Sequence, residues 1–327
     1  MTRVERFHPG TKVSNWASGV ITANPGFVST GAGYFGGGRE SNESVDTVDK
    51  FAFSDDSRST LGTGLSTTTS RLAGMANSGT AGYIGGGTEP TTTDKVDKFD
   101  FSDDSRSTLG TGLSGTRYGI ATMANSGTAG YFAAGYESGT GRVSTVDKFA
   151  FSDDSRTSLA TGTSAALNDF SGMANSGTAG YVGGGYTGSY VDTVDKFAFS
   201  DDSRTTLATG LSAITRNLAA IANSGTAGYF GGGREGVGYG WVDTVDKFDF
   251  SDDSRSTLGT GLSAATYELA GMANSGTAGY IGGGEAAAYV DTVDKFAFSD
   301  DSRTTLGTGL SAARKQLAAM ANCESLA

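Results

Sequence analysis

The chain has 327 residues, including 52 glycines and 3 prolines, and its formal net charge at pH 7 is −11. So acidic a chain offers no cationic surface for neutralising phosphates, which excludes nucleic acid as an expected partner. One cysteine, Cys323, excludes an intramolecular disulfide framework. The apolar runs are all shorter than the roughly 18 residues that a transmembrane helix needs, so no membrane insertion is expected.

The first residues of the chain resemble part of a unit that is repeated further on. Residues 4–7 match residues 48–51 in character, and Trp16 follows at the distance expected for the next strand. We predict that residues 4–20 supply a third and a fourth strand of a repeat, and residues 21–29 a first strand. The opening segment lacks the apolar core of a secretory signal.

The rest of the chain repeats one unit about every 50 residues. A period near 50, with turn residues between short apolar runs, is typical of propeller blades or solenoid repeats. The glycines occupy fixed places in this repeat, which indicates a folded β protein rather than a low-complexity chain. The repeat is marked by a tyrosine before a small-residue triplet, at Tyr34, Tyr83, Tyr131, Tyr181, Tyr229 and Tyr280.

Each full unit contains four short apolar stretches, which we name strands a to d in chain order. In the second unit they cover residues 72–77, 82–87, 96–101 and 108–113. Each is too short for an ordinary helix and is bounded by Gly, Ser, Asp or Asn, which favours strands. Strand c carries apolar residues on both faces, as expected for a sheet packed between two neighbouring sheets.

The glycine triplet after each tyrosine has two possible explanations. It lacks the Lys-Ser/Thr pair and the following helix of a phosphate-binding loop, so close packing of the backbone is the expected reason. In the third unit it reads Ala133-Ala134-Gly135. Because alanine tolerates a positive φ poorly, we expect a left-handed backbone at the third position alone.

The string Ser-Asp-Asp-Ser-Arg, as at residues 54–58, recurs in six units. We predict that it forms the turn from strand c to strand d, with Asp and Ser side chains binding local backbone N–H groups. A calcium loop is the alternative, but such loops alternate their oxygen ligands along the chain, which adjacent aspartates do not.

In this register the unit resembles the kelch repeat. The resemblance is carried by Arg71 before strand a, by residues 83–86 (Tyr-Ile-Gly-Gly) in strand b and by residues 96–99 (Val-Asp-Lys-Phe) in strand c. It covers nearly the whole chain, although units after the first lack the usual tryptophan at strand d. It implies an all-β fold, a β-propeller of four-stranded blades with strand a innermost. The near-identity of the units also resembles tandem kelch-like proteins of phages and cyanobacteria.

We therefore predict a single propeller domain over residues 1–327. Its repeat units cover residues 21–71, 72–119, 120–169, 170–217, 218–268 and 269–316, and its closing segments are residues 1–20 and 317–327. We favour seven blades, with the last blade shared by the two ends of the chain; six blades is the alternative. In the seven-bladed form the shared blade lacks strand b, so a neighbouring chain could complete it and cause self-association.

The sequence predicts no catalytic residue, cofactor or metal site. His8 is the only histidine, so neither a Ser/His/Asp set nor a multi-histidine metal site can be assembled. Paired acids such as Asp55-Asp56 recur in every full unit, which is not how a single active site is built. We therefore predict that the protein is not an enzyme. A sugar-modifying activity, as in some kelch-fold enzymes, is the least favoured of the functional hypotheses.

One end of the predicted propeller is constant in sequence and the other is variable. Strand order places the a–b and c–d turns at one end, where the units read SGTAG and FSDDSR, and the b–c and d–a connections at the other. Tyr, Trp and Arg dominate recognition surfaces and gather in the second set, although surface loops also vary without selection. The candidate binding residues are Arg39, Arg117, Tyr118, Tyr136, Tyr186, Tyr190, Arg216, Arg234, Tyr239, Trp241, Tyr267 and Tyr289.

These observations favour a non-enzymatic recognition or structural module that presents its variable end to a protein or a glycan. The resemblance to tandem kelch-like proteins of phages favours a component of a virion, such as a tail or fibre, or of a similar assembled particle. The alternative is a cytoplasmic protein-interaction scaffold.

Overall fold

A computed structural model describes residues 31–236, 238 and 240–323. Within these residues every helix or strand is a β-strand, and the main strands form six antiparallel sheets in the order a-b-c-d. We number the sheets as blades 1 to 6 in the chain order of their strands b. The predicted all-β propeller is confirmed.

The bounds of the strands repeat with the sequence. From blade 1 to blade 6, strand a covers Ala318–Asn322, Ala73–Asn77, Ala121–Asn125, Ser171–Asn175, Ala219–Asn223 and Ala270–Asn274. Strand b covers Ala32–Gly36, Ala81–Gly85, Ala129–Glu137, Ala179–Gly183, Ala227–Gly231 and Ala278–Gly282. Strand c covers Val48–Ala52, Val96–Asp100, Gly141–Ala150, Val194–Ala198, Val245–Asp249 and Val293–Ala297. Strand d covers Arg58–Thr60, Arg106–Thr108, Arg156–Ser158, Arg204–Thr206, Arg255–Thr257 and Arg303–Thr305.

Short strands extend the blades at the end that carries the b–c and d–a connections. They are Arg39–Glu40 with Glu43–Ser44, Thr88–Glu89 with Thr91–Thr92, Thr215–Arg216 with Arg234–Glu235, and Arg117–Tyr118 with the end of strand b in blade 3.

Strand d lies earlier in the chain than the sequence predicted. In blade 2 it covers Arg106–Thr108 instead of residues 108–113. The glycine-containing segment that follows is held by the b–c connection, where the Leu113 N–H donates to the Asp94 carbonyl at 2.8 Å. A Cβ on Gly112 would lie 2.4 Å from that same carbonyl oxygen. The segment therefore packs closely against the b–c connection, and only a glycine fits at position 112.

The ring has six blades, which corrects the preferred count of seven. Strand a of blade 1 is Ala318–Asn322, which pairs with Ala32–Gly36 in the register Ala32↔Asn322. It also contacts strands a of blades 2 and 6, so the six innermost strands form a closed ring. The strand Ala318–Asn322 forms backbone hydrogen bonds with the edge of strand b in blade 1. Because this pairing completes blade 1, a shared seventh blade is not needed to close the ring.

Two sequence-based expectations about closure are affected by this arrangement. Self-association was predicted because one blade would lack its strand b. In the part of the chain that the structure covers, every blade has a strand b, and all four strands of blade 1 come from this chain. The strands predicted within residues 1–20 and 21–29 lie outside the described residues.

The Ser-Asp-Asp-Ser-Arg string forms the predicted turn, in which the Ser57 N–H donates to Asp55 Oδ1 at 3.0 Å. Its second aspartate has a positive φ and binds the preceding blade. Asp104 of blade 2 accepts the hydroxyl of Tyr34 at 2.8 Å and the ammonium of Lys50 at 2.6 Å, both from blade 1. The same Tyr–Lys–Asp clamp recurs at all six junctions, with its aspartates at Asp56, Asp104, Asp154, Asp202, Asp253 and Asp301.

Aromatic side chains fill the same junctions. Phe53 of blade 1 stacks on Tyr280 of blade 6 with 5.3 Å between the ring centroids, and equivalent pairs lie at the other five junctions. Strand c buries Phe51 on one face and Val48 on the other, while Lys50 and Ala52 are half-buried, so the predicted burial of both faces is confirmed in part. Invariant residues in the unit are largely those that join one blade to the next.

The glycine triplet differs from its prediction at the second position. The second residue as well as the third has a positive φ, with 64° at Gly37 and 104° at Gly38. Ala134, the second residue of the third unit, keeps the left-handed backbone with φ of 51°. The expectation that alanine marks a position with ordinary φ is wrong here, because the second position of the triplet has a positive φ in every blade.

Candidate binding site at the variable end

The constant end of the propeller uses its conserved side chains to join blades. Four of the a–b turns present a serine whose hydroxyl oxygen accepts the N–H of the serine in a neighbouring blade, as Ser126 accepts from Ser78 at 3.0 Å and Ser176 accepts from Ser126 at 3.0 Å. Blade 1 has Cys323 at this position. Asparagines such as Asn77 accept a further N–H from Gly127 at 2.7 Å. A cavity of about 850 Å³ opens here along the axis, lined mainly by Gly, Ala, Met and Ser.

The variable end is closed at the axis by a ring of backbone hydrogen bonds. The residue two before strand a in each blade donates its N–H to the carbonyl of its counterpart in the preceding blade, at 2.7–3.0 Å. All six have φ between 55° and 62°, although five of them are not glycine. We call this set the inner ring; its members are Arg71, Gly119, Asp169, Asn217, Glu268 and Gln316.

A second set of side chains surrounds the inner ring. The residue before each inner-ring position pairs with the residue that follows the glycine triplet of the same blade, as in Tyr118↔Tyr136 and Arg216↔Arg234. These outer pairs differ in every blade, and the remaining four are Arg39↔Lys315, Ser70↔Thr88, Asn168↔Tyr186 and Tyr267↔Glu285. The blade geometry therefore brings the diversified positions of distant units around one axis.

A cavity of about 380 Å³ lies over part of the inner ring, and we call it the axial pocket. Four arginines line it against one aspartate and one glutamate, so it is locally cationic although the chain carries a net charge of −11. The lining residues are Arg71, Tyr118, Tyr136, Arg142, Asn168, Asp169, Tyr186, Arg216, Asn217, Arg234, Tyr267 and Glu268.

Arginines stack on tyrosines around the pocket wall. The guanidinium of Arg142 lies 4.3 Å from the ring centroid of Tyr186, and the guanidinium of Arg216 lies 5.1 Å from the same centroid, so the two arginines share this ring. Arg71 lies 5.1 Å from the ring centroid of Tyr118. Such cation–π contacts hold the cations at fixed positions while keeping their hydrogen-bonding edges available.

On one side of the pocket the polar groups satisfy one another. Lys315 binds Glu268 at 2.8 Å and Glu285 at 2.5 Å, and Glu285 also accepts the hydroxyl of Tyr267 at 2.8 Å. Burial opposes the charge on Lys315, but the two carboxylates outweigh it and raise the pKa of its ammonium. Burial and the bond to Glu285 raise the pKa of Tyr267 to about 12. On this side of the pocket the charged groups are therefore already paired with one another.

On the other side the polar groups have unused capacity. Among the described residues, the side chains of Arg71 and Arg216 make no hydrogen bond, and Arg216 Nε is buried without a partner. Arg216 Nη1 lies 3.6 Å from Asp169 Oδ2. Burial raises the pKa of the Asp169 carboxyl, against the opposing charges of Arg216 and Arg71. Gly119 leaves room for this carboxylate, since a Cβ there would lie 2.6 Å from Asp169 Oδ1.

Most of the sequence-predicted residues meet at this pocket. Tyr190 packs edge-on against Tyr186, and Trp241 stacks on Tyr267 at 5.5 Å, so both lie beside it. Arg39 and Tyr289 both bind Asn42, farther out. Tyr239 lies outside the described residues. The predicted residues that line the pocket are Tyr118, Tyr136, Tyr186, Arg216, Arg234 and Tyr267.

Arg117 is a correction, because it is fully buried away from the pocket. Its guanidinium binds Asp147 and the carbonyl of Thr145 at 3.0 Å, and Arg314 binds Asp49 at 2.9 Å in the same way in blade 1. Burial lowers the pKa of Arg117, opposed by the charge of Asp147. A buried arginine with a paired carboxylate joins two strands rather than meeting a ligand.

Sequence reasoning missed the inner ring and Arg142. Arg71 was noted only as part of the repeat pattern, while Asp169, Asn217 and Glu268 lay in the variable connections without being singled out. The sequence signal that could have identified the inner ring is a position just before the apolar stretch of strand a whose residue differs from unit to unit and is polar in five of the six. Nothing in the sequence showed that these positions share a left-handed backbone.

Within the part of the chain covered by the structure, no group of three or more His, Cys, Asp and Glu could hold a metal ion. The same residues contain no helix long and apolar enough to cross a membrane. No protein-family model matches the chain, and no curated protein matches its sequence.

Proposed function

We propose that this protein is a non-enzymatic recognition module that binds a protein or a glycan in the axial pocket and on the connections around it. One observation supports this most: side chains that differ between otherwise near-identical units converge on a single pocket. Invariant side chains are instead used between blades. A pocket of this size with aromatic walls and a few polar groups is typical of ligand sites.

The chemistry of the variable end argues against unselected variation. Unselected loops tend to accumulate small polar residues, whereas here tyrosines and arginines form stacked pairs that orient one another. Trp241, at 39 %, is the one exposed large hydrophobic side chain among the described residues, and it lies beside the pocket on Tyr267. Tryptophan, tyrosine and arginine are the residues enriched at binding hot spots.

A glycan array, combined with a protein pull-down, tests the proposal. Binding by the wild-type chain should be lost in Trp241→Ala and kept in Thr80→Ala, which changes an exposed side chain at the constant end. The recognition function would be contradicted if no glycan on the array bound and the pull-down captured no protein. It would also be contradicted if Trp241→Ala and Thr80→Ala lost the same amount of binding.

We further propose that the protein is a component of an assembled particle such as a phage virion. The resemblance to tandem kelch-like proteins supports this assignment. A particle-associated form in a native preparation is the expected result. A form found only free in the cytoplasm, bound to another protein through its Tyr- and Arg-rich end, would support the alternative of an interaction scaffold.

A further inference from the structure

We infer that the axial pocket binds the end of a glycan that carries an acidic sugar, with its carboxylate held between the guanidinium groups of Arg71 and Arg216. This inference rests on the proposed recognition function and specifies its ligand class. It is drawn from the charge, the unused hydrogen-bonding groups and the closed floor of the pocket.

Charge is the first reason. Four arginines face two carboxylates in the pocket wall of a chain that is otherwise acidic. A concave, partly buried site with an excess of one sign focuses the field and favours a ligand of the opposite sign. Lys315 pairs with both Glu268 at 2.8 Å and Glu285 at 2.5 Å, whereas Asp169 faces Arg216 at 3.6 Å and is the carboxylate that competes most directly with the ligand.

The free donors are the second reason. Arg142 has a partner, since its Nε donates to Asn168 Oδ1 at 2.9 Å. In contrast, Arg71 and Arg216 have only ring contacts and the 3.6 Å approach of Arg216 to Asp169 within the described part of the chain. A guanidinium whose terminal nitrogens make no hydrogen bond can bind the two oxygens of a carboxylate. A ligand carboxylate would supply the missing acceptor.

A sugar fits the remaining groups better than a simple anion does. The pocket offers acceptors as well as donors, because Asp169 and the side-chain amide of Asn217 lie beside the two arginines. A sulfate ion has no hydroxyl to donate to these acceptors and a phosphate ion has few, whereas a sugar ring presents several hydroxyls that donate to them. Tyrosine rings line the walls, and an aromatic face packs against the C–H groups of a pyranose.

The floor of the pocket favours a chain end. Inside the inner ring the axis holds a cavity of only about 70 Å³, which is too small to hold a sugar ring. The volume of about 380 Å³ suits one or two sugar rings, and Trp241 extends the aromatic wall outward from Tyr267 for the next ring.

The test is a calorimetric titration with glycan pairs that differ only in their terminal sugar: glucuronate against glucose, and N-acetylneuraminate against galactose. The acidic member of at least one pair should bind, and the neutral member should bind at least 10-fold more weakly. Arg71→Gln and Arg216→Asn should each weaken acidic binding by about 10- to 100-fold, the range for a lost hydrogen bond to a charged group.

These variants are chosen so that the fold is kept. Gln316 occupies the position equivalent to Arg71 with φ of 59°, and Asn168 occupies the position equivalent to Arg216. Lys95→Gln removes one positive charge from an exposed side chain outside the axial pocket and should leave both affinity and thermal midpoint unchanged. Thermal midpoints of all three variants identify any loss that arises from unfolding.

Each other outcome has a defined meaning. Equal binding of neutral and acidic glycans, with loss in Trp241→Ala, would overturn the acidic-sugar inference and keep glycan recognition. Binding of a glutamate-rich peptide but of no glycan would also overturn it and leave a protein ligand. Binding of inorganic phosphate as tightly as the acidic glycan would show an unspecific anion site. Absence of binding to any glycan or protein would refute the proposed function itself.

Discussion

Replacing Asp104 with alanine should lower the free energy of unfolding by about 2.5 to 4.5 kcal/mol. The hydroxyl of Tyr34 is buried and 2.8 Å from Asp104, so losing its acceptor costs about 1 to 3 kcal/mol. The ammonium of Lys50 remains partly hydrated, so its 2.6 Å bond contributes about 0.5 kcal/mol. Asp104 has φ of 59°, and alanine in that conformation costs about 1 kcal/mol more.

Asp56→Ala is the matched variant at the junction that closes the ring. Asp56 accepts Tyr280 at 2.8 Å and Lys295 at 2.7 Å, both from blade 6, and its φ is 58°. The two variants should therefore lose the same stability, within about 0.5 kcal/mol. Asp55→Ala removes a neighbouring exposed carboxylate outside the clamp and should lose less than about 1 kcal/mol.

Urea unfolding followed by circular dichroism measures these differences. A large loss for Asp104→Ala with almost none for Asp56→Ala would refute the reasoning, because Asp56 would then lack a partner and the ring would be open at this junction. Tyr34→Phe isolates the hydroxyl and should lose about 1 to 1.5 kcal/mol by itself.

Three further predictions follow from the packing and the pKa shifts. Phe53→Ala should lower the free energy of unfolding by about 3 to 5 kcal/mol in urea, because it empties the contact with Tyr280; a loss under 1 kcal/mol would show that this junction is not packed. Burial raises the pKa of Asp169, so acidic ligands should bind more tightly as pH falls through that pKa, and Asp169→Asn should bind tightly at every pH; an unchanged pH dependence in that variant would be contrary to this assignment. Burial and the paired aspartates raise the pKa values of the clamp tyrosines above the ordinary 10.0. The stability that these tyrosines contribute is therefore present below pH 10 and lost as pH rises further. Phenolate absorbance should appear together with unfolding, and full ionisation of these tyrosines in the folded state would disagree with the clamp.

The sequence was sufficient for the local structure of the blade and insufficient for its closure. Strands a to c of the second unit and the Ser-Asp-Asp-Ser turn are found close to their predicted places, because turn residues and apolar alternation are local signals. The count of blades depends on which strand Ala318–Asn322 pairs with. Its sequence is nearly that of every other strand a, so only the long-range arrangement selects its partner.

The site was predicted in part for a similar reason. Arg117 and Arg216 both follow a threonine in a variable connection, yet Arg117 occupies the position of Thr215 and is one residue out of step with Arg216. A shift of one residue in an extended segment turns the side chain to the opposite face. Arg117 is therefore buried on Asp147, while Arg216 lines the axial pocket.

Hydrogen exchange at the inner ring tests most directly that six blades close on one axis beneath the pocket. The Arg71 N–H donates to the carbonyl of Gln316 at 2.8 Å across the closing junction, and the Asn217 N–H makes the equivalent bond to Asp169 at 2.7 Å within the continuous part of the chain. Both amides should exchange equally slowly in the native protein, at rates that follow global unfolding. Fast exchange at Arg71 beside slow exchange at Asn217 would contradict the closed ring and the pocket built on it.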